Sequence, residues 1–137
     1  MAEKSFVECI FWGEDFSPKW LESNSNLKFP DSEKNEKGEI GKVGKYRGIP
    51  YPYGSASFDV HSPDECISGE WDSPLDIMLD LLAENYTKIR KSGVAEVTIL
   101  LNIYYVGQCN CSINRQQMQQ MIDMEVDFGV SCYADDE

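Results

Sequence analysis

The single histidine, His61, bounds the acid–base and nucleophilic chemistry open to this chain. Beside Cys66 or Cys109 an imidazole could generate a thiolate, the activation that a cysteine hydrolase needs. Neither cysteine lies in a Cys-Gly-Ser-type context, and no Gly-x-Ser-x-Gly elbow occurs. His61 sits in the polar run Asp59-Val60-His61-Ser62-Pro63, which reads as surface. Cys109-x-Cys111, with His61 and Cys66, could in principle supply four zinc ligands. Structural zinc sites, however, separate paired cysteines by about two to four residues, so the spacing here is too tight. Asp76 and Asp80 are one helical turn apart and could pair as carboxylates, but a Mg²⁺ site usually adds a nucleotide or substrate context. Gly38, Gly41, Gly44 and Gly48 precede no helix opening on Lys-Ser/Thr, so they form a loop and not a phosphate cradle. No catalytic residue, metal or cofactor is expected, and the chain is not read as an enzyme.

What remains is recognition through charge and aromatic side chains. The formal net charge is -12, which opposes nucleic acid and anionic membranes and favours basic partners. Lys42, Lys45, Tyr46 and Arg47 form a small basic group, too little against that field to expect nucleic-acid binding. The charge is segregated. Between Gly48 and Thr87 there is no Lys or Arg, but there are Asp59, Asp64, Glu65, Glu70, Asp72, Asp76, Asp80 and Glu84. Half of the basic residues fall between Lys28 and Arg47. The expected partner-binding residues are Asp59, Asp64, Glu65, Glu70, Asp72, Asp76 and Asp80, with Tyr46, Tyr51 and Tyr53 as aromatic anchors. The same tyrosines could instead pack their loop onto the domain. Asp135, Asp136 and Glu137 are a competing acidic patch.

The elements that must position these groups follow from periodicity. Ser5 to Trp12 alternates as a strand, with Phe6, Ile10 and Trp12 on one face and Val7, Cys9 and Phe11 on the other. Ser17-Pro18 opens a short helix with Ser17 as N-cap, turning Trp20 and Leu21 inward. Residues 28–54 hold five glycines and three prolines and read as a long loop. Ser55 to Val60 returns as a strand. Ser73 to Ser92 reads as one amphipathic helix, opened by Ser73, Pro74 and Asp76 and closed by Gly93. Its apolar stripe is Leu75, Met78, Leu79, Leu82, Tyr86 and Ile89, and Asp76, Asp80, Glu84 and Lys88 line another face. Val94 to Val106 is a strand whose alternating residues from Ala95 to Tyr105 should pack on helices. Asn114 and Gln117 form a capping box for a further helix, with Met118, Met121 and Ile122 as its inner face and Ile113 stapled to Met118. Val126 to Tyr133 is the last strand.

This order predicts a single α+β domain over residues 1–137: one mixed or antiparallel sheet, two main helices packed on one face, and a short N-terminal helix. The link through 94–133 is long enough for a parallel crossover.

The pieces resemble a bacterial family catalogued as domain of unknown function 4279. Gly13-Glu14-Asp15-Phe16-Ser17-Pro18 matches that family's opening strand and Asp-Phe-x-Pro helix start. Leu27-Lys28-Phe29-Pro30 and Lys37-Gly38-Glu39 follow its turn and Lys-Gly loop, Trp71 precedes the central helix, and Ile113 to Tyr133 follows its close. The sequence departs at Ser131-Cys132-Tyr133, where the family carries Asp-x-Tyr. The resemblance covers most of the chain and implies an α+β fold without an activity.

No apolar run reaches the roughly 18 residues of a membrane span, and the opening MAEKSFVECIFWGEDF lacks a long apolar stretch. Five cysteines, an odd number, fit reduced thiols in a cytosol. The expected function is that of an immunity protein that binds and neutralises a cognate bacterial toxin, such as a basic nuclease. The alternatives are a regulatory or small-ligand-binding domain and an enzyme of unrecognised type.

Overall fold

A computed structural model describes residues 4–61, 72–109 and 111–134, without the side chains of Lys4, Asp72 and Ser73. The elements run β1 (Lys4–Gly13), α1 (Pro18–Asn24), β2 (Lys34–Asn35), β3 (Gly54–His61), α2 (Asp72–Glu84), α3 (Tyr86–Lys91), β4 (Glu96–Tyr105), α4 (Arg115–Asp123) and β5 (Asp127–Ala134). Short 3₁₀ turns occupy Asp31–Glu33 and Gly44–Tyr46. One five-stranded sheet has the order β2-β3-β1-β4-β5. β2 and β3 are antiparallel, whereas β4 and β5 are parallel, joined through the α4 crossover, so the sheet is mixed and the fold is α+β.

The chain divides into two compact units, one of residues 1–9, 59–84 and 98–137, the other of residues 10–58 and 85–97. In the first unit, the buried sheet residues alternate: Val7 and Cys9 on β1, Ile99, Leu101 and Ile103 on β4. Leu75, Met78, Leu79 and Leu82 of α2 and Met121 of α4 are buried with them, so these helices cover that face of the sheet and contact each other. The other face keeps Phe6 and Glu8 half-exposed and Tyr104 exposed. In the second unit, Phe11, Phe16, Phe29 and Phe58 form a ring cluster, with Phe11 5.8 Å from Phe16 and 5.5 Å from Phe29, and Leu21 and Leu27 are also buried.

The local signals behave as their chemistry requires. Ser17 Oγ accepts from the Trp20 N–H at the start of α1, with Pro18 at the first helical position. Asn114 and Gln117 form a reciprocal capping box at α4. Two expectations need correction. The helix expected over 73–92 is interrupted at Asn85, which is 4% exposed, accepts from the Asn26 N–H through Oδ1 and hands its carbonyl to Ile89 N–H at the start of α3. An asparagine that finds backbone partners outside the helix competes with the helical ladder. The inner face of α4 is Gln117 and Met121, continued by Met124, and not Met118 and Ile122, which are 45% and 68% exposed. Gln117 can be buried because both ends of its amide are bonded, which rotates the inward stripe by one residue. The long loop of residues 28–54 carries β2 and the two 3₁₀ turns and is tied by backbone hydrogen bonds. Gly38 N–H donates to Tyr51 O, Tyr51 N–H to Glu39 O and Gly41 N–H to Ile49 O, and an isolated bridge joins Ile40 to Pro50.

Candidate binding surfaces

Four strands each place one ring on the open face of the sheet in the first unit. His61 at the end of β3 stacks on Phe6 of β1, centroids 5.0 Å apart and planes 18° from parallel. Phe6 lies 6.2 Å from Tyr104 of β4, and Tyr104 lies 4.9 Å from Tyr133 of β5. Tyr104 and Tyr133 are register partners in the parallel pair, which explains their overlap. Tyr104 is 37% exposed and Tyr133 44% exposed, so the row of rings faces solvent. Asp59, two residues from His61 and so on the same face of β3, lies 3.6 Å from His61 Nε2. The row presents flat apolar rings with a carboxylate at its end. Such a surface suits cationic side chains, which pack on ring faces and pair with carboxylates.

The second unit gathers the tyrosines expected as anchors. Tyr46 lies 5.3 Å from Tyr51 and 5.7 Å from Tyr53, and Tyr53 lies 5.5 Å from Trp12. All three tyrosines are half-exposed. Burial raises the Tyr53 phenol above its ordinary range, and the neighbouring Tyr46 and Tyr51 add to that. These ring contacts tie residues 46–53 to Trp12 near the end of β1.

The same unit holds a polar cavity of about 560 Å³, lined among others by Lys19, Glu22, Lys34, Glu36 and Lys42. Glu22 accepts from Lys34 Nζ at 2.8 Å and from the Phe29 N–H at 2.9 Å. Burial acts to raise the Glu22 pKa, but these hydrogen bonds and the lysine charges outweigh it and hold the carboxyl below its usual range. The Glu36 carboxylate accepts from Ser17 Oγ and from the Lys19 N–H, bracing the start of α1.

The expected acidic surface is divided. Asp59 belongs to the open sheet face, whereas Asp76 and Asp80 are exposed on α2, in the layer covering the opposite face. Asp76 is also a tie between helices, because its Oδ1 accepts from Gln117 Nε2 at 2.9 Å. Asp64, Glu65, Cys66, Glu70, Trp71 and the C-terminal acids fall outside the described residues, as does the Asp72 side chain. Among the described residues, no group of three His, Cys, Asp or Glu side chains converges as a metal site. No described helix is long and apolar enough to cross a membrane.

Sequence reasoning put Phe6 on a named strand face but missed Tyr104 and Tyr133 as its neighbours. The signal was an aromatic residue off the core parity of each strand, and it becomes a row only once strand order and register are known. The chain matches no protein-family model, no curated protein and no solved structure.

Proposed function

We propose that this chain is a binding domain without catalysis, an immunity protein that holds and neutralises a basic toxin domain of bacterial origin. The observation that carries the reading is the solvent-facing row His61–Phe6–Tyr104–Tyr133 with Asp59 at its end, within a chain of net charge -12. Aromatic rings that need little ordering on binding are favoured interface anchors, and opposite charge accelerates encounter. A nuclease domain, basic because it grips phosphates, fits both properties. Asp76 and Asp80 add to the steering field, and Tyr46, Tyr51 and Tyr53 are a second set of anchors.

The test is co-expression with the product of the adjacent reading frame, followed by association and dissociation rates at two ionic strengths. Tyr104→Ala with Tyr133→Ala should raise the dissociation rate about 30-fold or more, the scale of an anchor worth about 2 kcal/mol. Asp80→Lys should slow association by a factor that shrinks as salt rises. Unchanged rates in both variants, with a stable complex still formed, would move the interface elsewhere. Absence of any complex with a basic partner would remove the reading.

A second reading, a small-ligand-binding or regulatory domain, is favoured by the cavity beside Glu22 and Lys34. Its mixed charges suit a small zwitterionic ligand, and on this reading Glu22→Gln would abolish ligand binding in a chain that forms no complex with a toxin.

A further inference from the structure

The thiols of Cys109 and Cys132 lie 3.5 Å apart, sulfur to sulfur. They are 23 residues apart in sequence, with α4 between them. Cys132 is exposed on β5, an edge strand, paired in register with Ile103. Beyond β4, Gly107 takes a positive φ of 85° and redirects the chain, and Cys109 follows two residues later against β5. Cys9 differs in kind. It is fully buried, and burial together with Glu8 drives its thiol pKa far up, so it is a packing residue and not a nucleophile.

We propose that Cys109 and Cys132 form a thiol–disulfide modification site whose substrates are low-molecular-weight disulfides. The exposed Cys132 sulfur, as thiolate, attacks one sulfur of a small disulfide RSSR. A Cys132–SR bond forms, the RS–SR bond breaks and RS⁻ departs. The Cys109 thiolate then attacks the Cys132 sulfur, closing the Cys109–Cys132 bond and releasing the second RS⁻. The two thiol protons pass to solvent and to the leaving thiolates. The protein loses two electrons, and RSSR gains them to become two RSH. The sulfurs must close by about 1.5 Å to reach a bond of roughly 2.0 Å, a movement within reach of side-chain rotation at an edge strand and a loop. Once closed, the bond ties the segment after β4 to β5 and encloses α4 in a covalent loop. This assignment is independent of what the domain binds. Cys111, two residues from Cys109 and exposed, is the nearest competing thiol in sequence.

The experiment uses the full reduced chain in buffers of graded glutathione disulfide to glutathione ratio, quenched with an alkylating agent and read by intact mass and peptide mapping. The expected product has lost two hydrogens, carries a Cys109–Cys132 linked peptide and is monomeric. Its thermal midpoint should lie about 5 °C or more above that of the reduced chain. Cys111→Ser should keep the bond. Cys109→Ser should stop at a mixed disulfide on Cys132, gaining one glutathionyl group. A bond mapping to Cys111 or Cys66, a link between two chains, or thiols that stay reduced at the most oxidising ratio would each overturn the assignment.

Discussion

Removing the Asp76 carboxylate tests whether that residue is a recognition charge or a structural tie. Gln117 is 2% exposed, and its side chain is fixed at both ends. Oε1 accepts from the Asn114 N–H at 2.9 Å, and Nε2 donates to Asp76 Oδ1 at 2.9 Å. A hydrogen bond to a charged group contributes about 1.5–3 kcal/mol, and Asp76 is exposed, which sets the lower end. Asp76→Ala should therefore cost about 1.5 kcal/mol. Asp80→Ala, one turn along the same exposed face, should stay within about 0.5 kcal/mol. Alanine improves helix propensity over aspartate at both positions, so the difference between the two variants largely cancels that gain. Gln117→Met keeps the volume and removes both side-chain bonds. In a double-mutant cycle read by urea denaturation, Asp76→Ala and Gln117→Met should couple by about 1 kcal/mol, with the slope m unchanged. Coupling below about 0.3 kcal/mol, or equal midpoints for Asp76→Ala and Asp80→Ala, would refute the tie and return Asp76 to the set of free surface acids.

Gly93 has a φ of 88°, and a Cβ there would lie 2.1 Å from the Asp15 carbonyl oxygen, so Gly93→Ala should cost at least about 2–3 kcal/mol, seen as a drop in the thermal midpoint. Glu22→Gln should destabilise the chain by about 1–2 kcal/mol near neutral pH, since it weakens the bonds from Lys34 and Phe29. The Glu22 pKa is lowered on folding, so its contribution is present above the ordinary carboxylate range and lost as pH falls through the depressed folded value. The gap between wild type and Glu22→Gln in chemical denaturation should accordingly close in acid. A gap that stays constant from pH 7 to pH 2 would show that the carboxylate charge carries none of it.

The parts of the fold legible in the sequence are those fixed by chemistry within a few residues. Ser17 with Pro18, and Asn114 with Gln117, announce helix starts because the capping bonds span only three residues. The alternation Val97, Ile99, Leu101, Ile103 announces a strand buried on one face because nothing else satisfies a period of two. The break at Asn85 is illegible, since Leu82, Tyr86 and Ile89 continue the helical spacing across it. The Asn85 side chain instead accepts from the Asn26 N–H, 59 residues away, a partner that helical spacing does not announce. The inward face of α4 is hidden from the sequence for a related reason. Hydrophobic spacing selects Met118 and Ile122, but a glutamine with both amide ends satisfied is equally at home inside, and its second partner, Asp76, lies on another helix.

The same limit applies to the candidate surface, and it bears on how the charge would act. Counting acids along the chain groups Asp59 with Asp76 and Asp80, but the passage from sheet to helix layer separates them. On the proposed reading, a partner seated on the aromatic row would touch Asp59 and feel Asp80 only through the field. A charge outside the buried centre of an interface acts mainly on the association rate and its salt dependence, so on this reading Asp80 would influence encounter more than the formed complex, while Tyr104 and Tyr133 would govern how long the complex lasts. Acids that are neighbours in sequence therefore need not share a role. On the proposed reading, the two faces of the sheet, more than the order of residues, would decide which charges steer and which rings hold.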